Sequence, residues 1–258
     1  PLYIIGNKST ASIGKSNFER AIEKCQKTIK QHSITKRPEW KGNKPKTAKD
    51  KVWLSQKEYN PFLYKAWFLM GNAQFRRGEY LEAATTFSYI QRLYFSNPDI
   101  IAKARLLEAR CYVELEWFYD AEDLINRAVR DSFPKDLENL KAEVLAGSQI
   151  RQKLYSEAIP NLEKAIKNNH SSLQKARMYF LLGQLYHKAG QNEQAFKAFK
   201  KVISKNPPYE LEFNARIKQT EVVSNSQSKQ MVRKLQSMAR NPKNKDFLDQ
   251  VYYAVGNI

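Results

Sequence analysis

Cysteine, histidine and glycine are scarce in this sequence, and each scarcity excludes a class of protein. Cys25 and Cys111 are the only cysteines and stand 86 positions apart, with no paired Cys or His ligands at short spacing. They therefore set neither a disulfide framework nor a zinc site, and each reads as a small buried apolar residue within a helix. His32, His170 and His187 are scattered, and no His-Glu-x-x-His or Gly-x-Ser-x-Gly pattern occurs. The carboxylates fall mostly on polar helix faces, so no catalytic residue, cofactor or metal site is expected and the chain reads as a non-enzyme. Nine glycines in 258 residues argue against an all-β chain, and no strand-and-helix alternation is present. The longest apolar runs are only a few residues, so neither a transmembrane span nor a signal peptide is expected within these residues. Gly14-Lys15-Ser16, following Leu2-Tyr3-Ile4-Ile5, imitates a phosphate-binding loop, but Ser9 stands where that loop needs its first glycine. Ser16 reads instead as a helix N-cap, with Glu19 completing a capping box.

In place of these features the chain has a period. Tyr80-Leu81-Glu82-Ala83, Phe118-Tyr119-Asp120-Ala121, Tyr155-Ser156-Glu157-Ala158 and Asn192-Glu193-Gln194-Ala195 repeat one pattern, their alanines 38, 37 and 37 residues apart. A fixed period in this range means that each unit cannot bury its apolar face alone and stacks on its neighbours. The clearest unit runs through Tyr179, Leu182, Gly183, Tyr186, Gly190, Ala195, Phe199, Val202 and Pro207. It resembles a tetratricopeptide repeat. Gly183 and Ala195 are small where two antiparallel helices cross, Tyr179, Leu182, Tyr186 and Phe199 fill the space between helices, and Gly190 supplies a left-handed turn. Trp67, Met70, Gly71, Gly78, Tyr80, Ala83 and Phe87 repeat these phases. The fold class expected is all-α, a TPR-like right-handed α-α superhelical solenoid.

The register then assigns Ala109, Tyr112, Phe118, Ala121 and Ile125 to a second repeat, and Ala142, Leu145, Ala146, Tyr155, Ala158, Leu162 and Ala165 to a third. Glu108 falls at an apolar phase, so either its helix is rotated or the carboxylate meets a cationic partner. The extra residues over the family's period of about 34 are expected to lengthen the second helices or the turns after them, near Asn97-Pro98 and Phe133-Pro134. Around these repeats the expected organisation is an extended lead-in over 1–15, one helix of an incomplete repeat over 16–32, a basic loop insertion over 33–60, and three to four repeats over 61–208. A degenerate fifth repeat and the truncated start of a sixth occupy 209–258. A chain that begins at Pro1 and stops inside a repeat signature is expected to be a fragment.

Between Lys36 and Lys51 the insertion carries seven Lys or Arg against Glu39 and Asp50. Pro38, Gly42, Pro45 and Pro61 deny it a continuous helix, and Trp40 and Trp53 are its expected anchors. The formal net charge of the whole chain is +18, from 44 Lys and Arg against 26 Asp and Glu. Such charge attracts nucleic acid or anionic surfaces. No nucleic-acid motif accompanies it, however, and repeat packing claims most aromatics that could stack on bases, so nucleic acid is not the expected partner.

Protein binding remains. In tetratricopeptide arrays the first helix of each pair lines the inner surface. Carried over by position, this gives Lys65, Phe68, Asn72, Phe75 and Arg76, then Leu106, Arg110 and Val113, then Glu143 and Ile150, then Arg177, Phe180, Gln184, His187 and Lys188. Such an aromatic and basic groove suits an acidic or amphipathic segment. Phe68 and Phe180 have a second reading, as packing against the adjacent repeat. Phe68 also stands where a carboxylate-clamping array would need Lys.

A closer resemblance rests on Ala21 to Ile34, Glu58-Tyr59-Asn60-Pro61, Ala84 to Ile90, Ala109-Arg110-Cys111-Tyr112, Trp117 to Glu122 and Asp249 to Asn257. These stretches resemble the tetratricopeptide lipoproteins of the Bacteroidetes gliding motility and type IX secretion machinery, the SprE or PorW group. The resemblance implies a periplasmic scaffold tethered to the outer membrane by a lipidated Cys upstream of these residues, with secretion-machinery or envelope proteins as partners. Neither Cys25 nor Cys111 inherits that anchor. The alternative is a cytoplasmic adaptor whose basic faces bind an acidic protein or RNA, an association that salt would weaken steeply.

Overall fold

Four tight turns, spaced like the alanines of the sequence period, organise the chain. In the computed structural model, which describes residues 15–37, 39, 47–130, 133–223 and 228–256, Gly78, Glu116, Lys153 and Gly190 all adopt positive φ, at 82, 63, 64 and 74°. After three of these turns the next N–H reaches back to close a helix C-terminus: Glu79 to Gln74 O at 3.0 Å, Trp117 to Tyr112 O at 2.9 Å and Gln191 to Tyr186 O at 2.8 Å. This is the left-handed C-cap that satisfies the last carbonyls of one helix and sends the chain directly into the next.

Two compact units divide the described residues, one running to Arg151 and the other beginning at Gln152. The N-terminal unit contains α1 (Lys15–His32), α2 (Ala48–Leu54), α3 (Tyr64–Arg76), α4 (Tyr80–Leu93), α5 (Pro98–Glu114), α6 (Phe118–Val129) and α7 (Glu138–Arg151). The C-terminal unit contains α8 (Tyr155–Asn168), α9 (Ser172–Lys188), α10 (Asn192–Ile203), α11 (Tyr209–Thr220), α12 (Ser228–Ala239) and α13 (Leu248–Gly256). No strand occurs among the described residues. The fold is all-α and TPR-like, built from successive helical hairpins.

The hairpin cores pair a small residue with a large one. A Cβ at Gly71 would lie 2.6 Å from Phe87 Cε1, and one at Gly183 would lie 2.6 Å from Phe199 Cε1. In the second repeat the same positions hold Ala109 and Ile125, and both belong to one buried cluster. A glycine thus faces phenylalanine and an alanine faces isoleucine, keeping the interhelical volume nearly constant. Cys25 and Cys111 are both free thiols and buried. Cys25 packs with Ile22, Met70 and Ala73 where α1 meets α3, and Cys111 Sγ donates to Leu107 O at 3.2 Å.

Several boundaries differ from the sequence reading. Ser16 lies inside α1, which begins at Lys15, and so does not cap it. Asn97-Pro98 does not extend α4: Asn97 caps α5 by accepting from Ile100 N at 3.1 Å, with Pro98 as the first helical residue. Its missing N–H costs nothing there. Likewise Pro134 precedes a 3-10 turn at Lys135–Leu137 that leads into α7. The extra residues of the period therefore go to the long first helices α5 and α9, of 17 residues each, whereas before α7, of 14 residues, they lengthen the turn after the second helix, as expected. Glu108 is buried at 5% exposure, but its bonded partners are neutral: Gln91 Nε2 donates at 2.5 Å and Tyr112 Oη at 3.1 Å.

The 33–60 insertion is not all loop. It contains α2, which opens with a reciprocal capping box between Thr47 and Asp50. Trp53 meets Tyr59 edge-on at 5.3 Å. The neck of the insertion is tied by Glu58, which is 3% exposed. Its carboxylate accepts from Ser33 Oγ at 2.6 Å and from the N–H groups of Ile34 and Asn60, each at 2.8 Å. Tyr59 N–H donates to Ile34 O at 2.9 Å beside it. At the other end of the chain, Phe213, Leu235, Val251 and Ala254 join α11, α12 and α13 in one core. The extended lead-in, the phosphate-loop imitation before Lys15, Trp40 and the turn over 224–227 lie outside the described residues.

Candidate protein-interaction faces

First helices present their outward residues at intervals of three and four, and on α3, α5 and α7 four of these converge. Arg110 stacks over the ring of Phe75, its guanidinium carbon 4.5 Å from the centroid. Burial lowers the Arg110 pKa, the carboxylates of Glu143 and Glu114 oppose that effect, and Arg76 adds to it. Glu143 accepts from Asn139 Nδ2 at 2.9 Å. Arg151 pairs with Glu114, whose own pKa burial raises while Arg151 and Arg110 pull it down. The result is a half-buried patch with an aromatic plate, a desolvated guanidinium and flanking charges of both signs. Aromatic rings and guanidinium groups of this kind are common constituents of binding hot spots.

The structure brings together Phe75, Arg76, Arg110 and Glu143, and leaves Asn72 beside them, its Nδ2 donating to Phe68 O at 2.8 Å. Lys65 is exposed and sits 5.5 Å from the ring centroid of Phe62. Six of the expected face residues belong to the interior instead: Phe68, Leu106, Val113, Ile150, Phe180 and Gln184 are all buried. Phe68 tilts against Phe87 at 6.3 Å and Phe180 meets Phe199 edge-on at 5.6 Å, so both fill their own hairpins. Gln184 Nε2 points at Phe180 O, 3.5 Å away. On α9, in the C-terminal unit, Arg177 is half-buried, Lys188 is exposed, and His187 Nδ1 lies 3.0 Å from Asn192 Oδ1.

A family model for uncharacterized proteins conserved in bacteria, DUF2225, matches residues 72–246, more than half of the chain. The chain belongs to that family. Comparison with curated proteins gives no match. Among solved structures, the TPR2AB-domain:pHSP90 complex of yeast Sti1 aligns over 96% of each chain at 14% identity with a TM-score of 0.35, a likeness too low to transfer a ligand or a role. The DUF2225 match begins in α3 and so includes most of the converging patch.

Sequence reasoning missed Lys103 and Asn139. Lys103 Nζ stands 4.9 Å over the Phe68 ring, two turns before Arg110 on the same stripe of α5, and Asn139 is one turn before Glu143. Extending each stripe by helical spacing would have found both.

Proposed function

We propose that this chain is a non-catalytic protein–protein interaction scaffold that grips an acidic or amphipathic segment along its first-helix faces. The observation that carries the reading is the Phe75–Arg110 stack, held half-buried beside Glu143 and Arg76. A guanidinium already fixed on an aromatic ring loses little freedom on binding, and Arg with aromatic anchors is the common composition of binding hot spots. The more specific reading is a periplasmic component of a type IX secretion or gliding motility machine, tethered to the outer membrane by a lipid upstream of these residues. It is supported by the stretches from Ala21 to Ile34 and from Trp117 to Glu122. The competing cytoplasmic adaptor is favoured by the net charge of +18.

Photo-crosslinking in the protein's own cells tests the face. A crosslinker at Asn72 or Arg76 is expected to capture one protein that a crosslinker at Tyr119, 86% exposed on α6, does not. Equal capture at all three positions would refute a defined face. Fractionation with metabolic fatty-acid labelling separates the two locations: labelled protein in the outer membrane supports the tethered scaffold, and unlabelled protein in the cytosol replaces it with the adaptor.

A further inference from the structure

The C-terminal unit contains a second recessed feature, on the side of α9 away from Phe180 and Gln184. A cleft of about 360 Å³ opens between α8 and α10 over α9. Its floor and walls are Tyr179, Leu182 and Tyr186 from α9, Ile166 from α8 and Ala198 from α10, and Lys167, Lys197 and Lys201 stand around it. Tyr186 Oη donates to Glu163 Oε1 at 2.5 Å, which fixes the ring and engages the carboxylate at the edge of the cleft. Lys201 Nζ lies 5.2 Å from the Tyr179 ring centroid. Lys197 has only an exposed pairing with Glu193 within its own helix turn, a contact worth little. No carboxylate partners Lys167 among the described residues.

The repeat itself supplies the control. By the alanine register, Leu182 corresponds to Glu108, Tyr186 to Tyr112, Ile166 to Gln91 and Ala198 to Leu124. In the second repeat these positions hold bonded or larger groups: Glu108 is bonded to Gln91 and Tyr112, and Leu124, as buried as Ala198, is the bulkier side chain. In the fourth repeat the polar trio is replaced by two aliphatics and a tyrosine, and the filling leucine by alanine. The same architecture holds a bonded polar trio and a leucine in one place and an apolar, lysine-rimmed cleft in the other.

We infer that the α8–α9–α10 cleft is a docking site, separate from the first-helix faces, for an acidic amphipathic segment of another protein. Its apolar side would enter over Tyr179, Tyr186 and Ala198, and its carboxylates would meet Lys167, Lys197 and Lys201. Charge complementarity selects this occupant: from Gln152 onward the chain carries eighteen Lys or Arg against eight Asp or Glu. The apolar floor selects against a polyanion without side chains to bury. With Lys201 over Tyr179, that ring is also already covered by a cation and less available for stacking with a base.

The test is fluorescence anisotropy on the whole chain, using a labelled helical peptide with Glu and Asp on one face and Leu and Phe on the other. The comparison ligands are poly-glutamate and single-stranded poly-uridine RNA. The amphipathic peptide is expected to bind most tightly. Ala198→Leu, which installs the residue of the second repeat, is expected to weaken it roughly tenfold while every lysine remains. Gln194→Phe, at the exposed mouth of the cleft, is expected to do the same without entering the core, which guards against a folding defect in the first variant. In the Arg110→Glu background, which removes the first-helix patch, both cleft variants are expected to cause the same loss, and Tyr119→Ser, 86% exposed on α6, is expected to change nothing. Equal affinity for all three ligands, no binding of the amphipathic peptide, or indifference to both cleft variants would overturn the proposal.

Discussion

A methyl group added at Gly71 would sit within 2.6 Å of Phe87 Cε1, a contact that the close-packed hairpin can relieve only by moving the ring. Gly71→Ala is therefore expected to destabilise the protein by about 1–3 kcal/mol in urea unfolding. Combining it with Phe87→Leu should recover part of that loss, because Ala opposite a branched aliphatic is the pairing the second repeat already uses. Strictly additive losses would show that the two positions are not coupled. Glu108 yields a pH prediction. Burial raises its pKa above the ordinary 4.5, and the bonds from Gln91 and Tyr112, together with the charges of Arg127 and Arg105, oppose this without cancelling it. A folded-state value above the unfolded one means that the folded protein holds the extra proton, so stability falls as pH rises from 4.5 through that raised value. Glu108→Gln stays neutral throughout and is expected to flatten that fall in unfolding curves taken from pH 4.5 to neutrality. At this scale the glycines were legible in the sequence because a small residue at a helix crossing has one physical meaning. Phe68 and Phe180 were not, because helical spacing places them at the boundary between outer face and hairpin interior, and a phenyl ring is long enough to turn inward.

Turns are the elements where the repeats agree most closely in backbone and least in sequence. Gly78 and Gly190 enter the left-handed region freely, whereas Glu116 and Lys153 hold φ of 63 and 64° against the penalty on any residue with a Cβ. Glu116→Gly and Lys153→Gly are each expected to stabilise by about 1 kcal/mol, read as a higher urea midpoint at unchanged slope. A midpoint that falls would mean that those side chains make compensating contacts. The period announced all four turns, but composition announced only the two glycines. The helix α2 was hidden by the prolines around it, although Thr47 and Asp50 carried the capping-box signature that could have revealed it. The neck at Glu58 makes its own prediction. Glu58→Ala removes the acceptor for the N–H groups of Ile34 and Asn60, at a cost of about 2–3 kcal/mol. Hydrogen exchange should speed at those two amides and stay unchanged in α9.

Over the whole molecule, the period and the net charge of +18 are properties of the sequence, and the charge sets how partners approach. Association with an acidic partner is expected to slow on the order of tenfold between 0.01 M and 0.15 M salt, as the screening length contracts from about 30 to about 8 Å. Stopped-flow mixing reads this directly, and a salt-independent rate would assign binding to apolar contact alone. The division at Arg151 was invisible beforehand, because the alanine spacing runs through it unchanged and compactness depends on contacts that no single stretch encodes. One consequence follows from the neck of the insertion. Ser33 Oγ and Glu58 Oε2 meet at 2.6 Å although they are 25 positions apart, so the chain between them forms a closed eyelet. The knot hands the chain to α3 at a fixed point, and a second lashing, Gln56 Nε2 donating to Ser96 Oγ at 3.2 Å, moors the eyelet to the turn after α4.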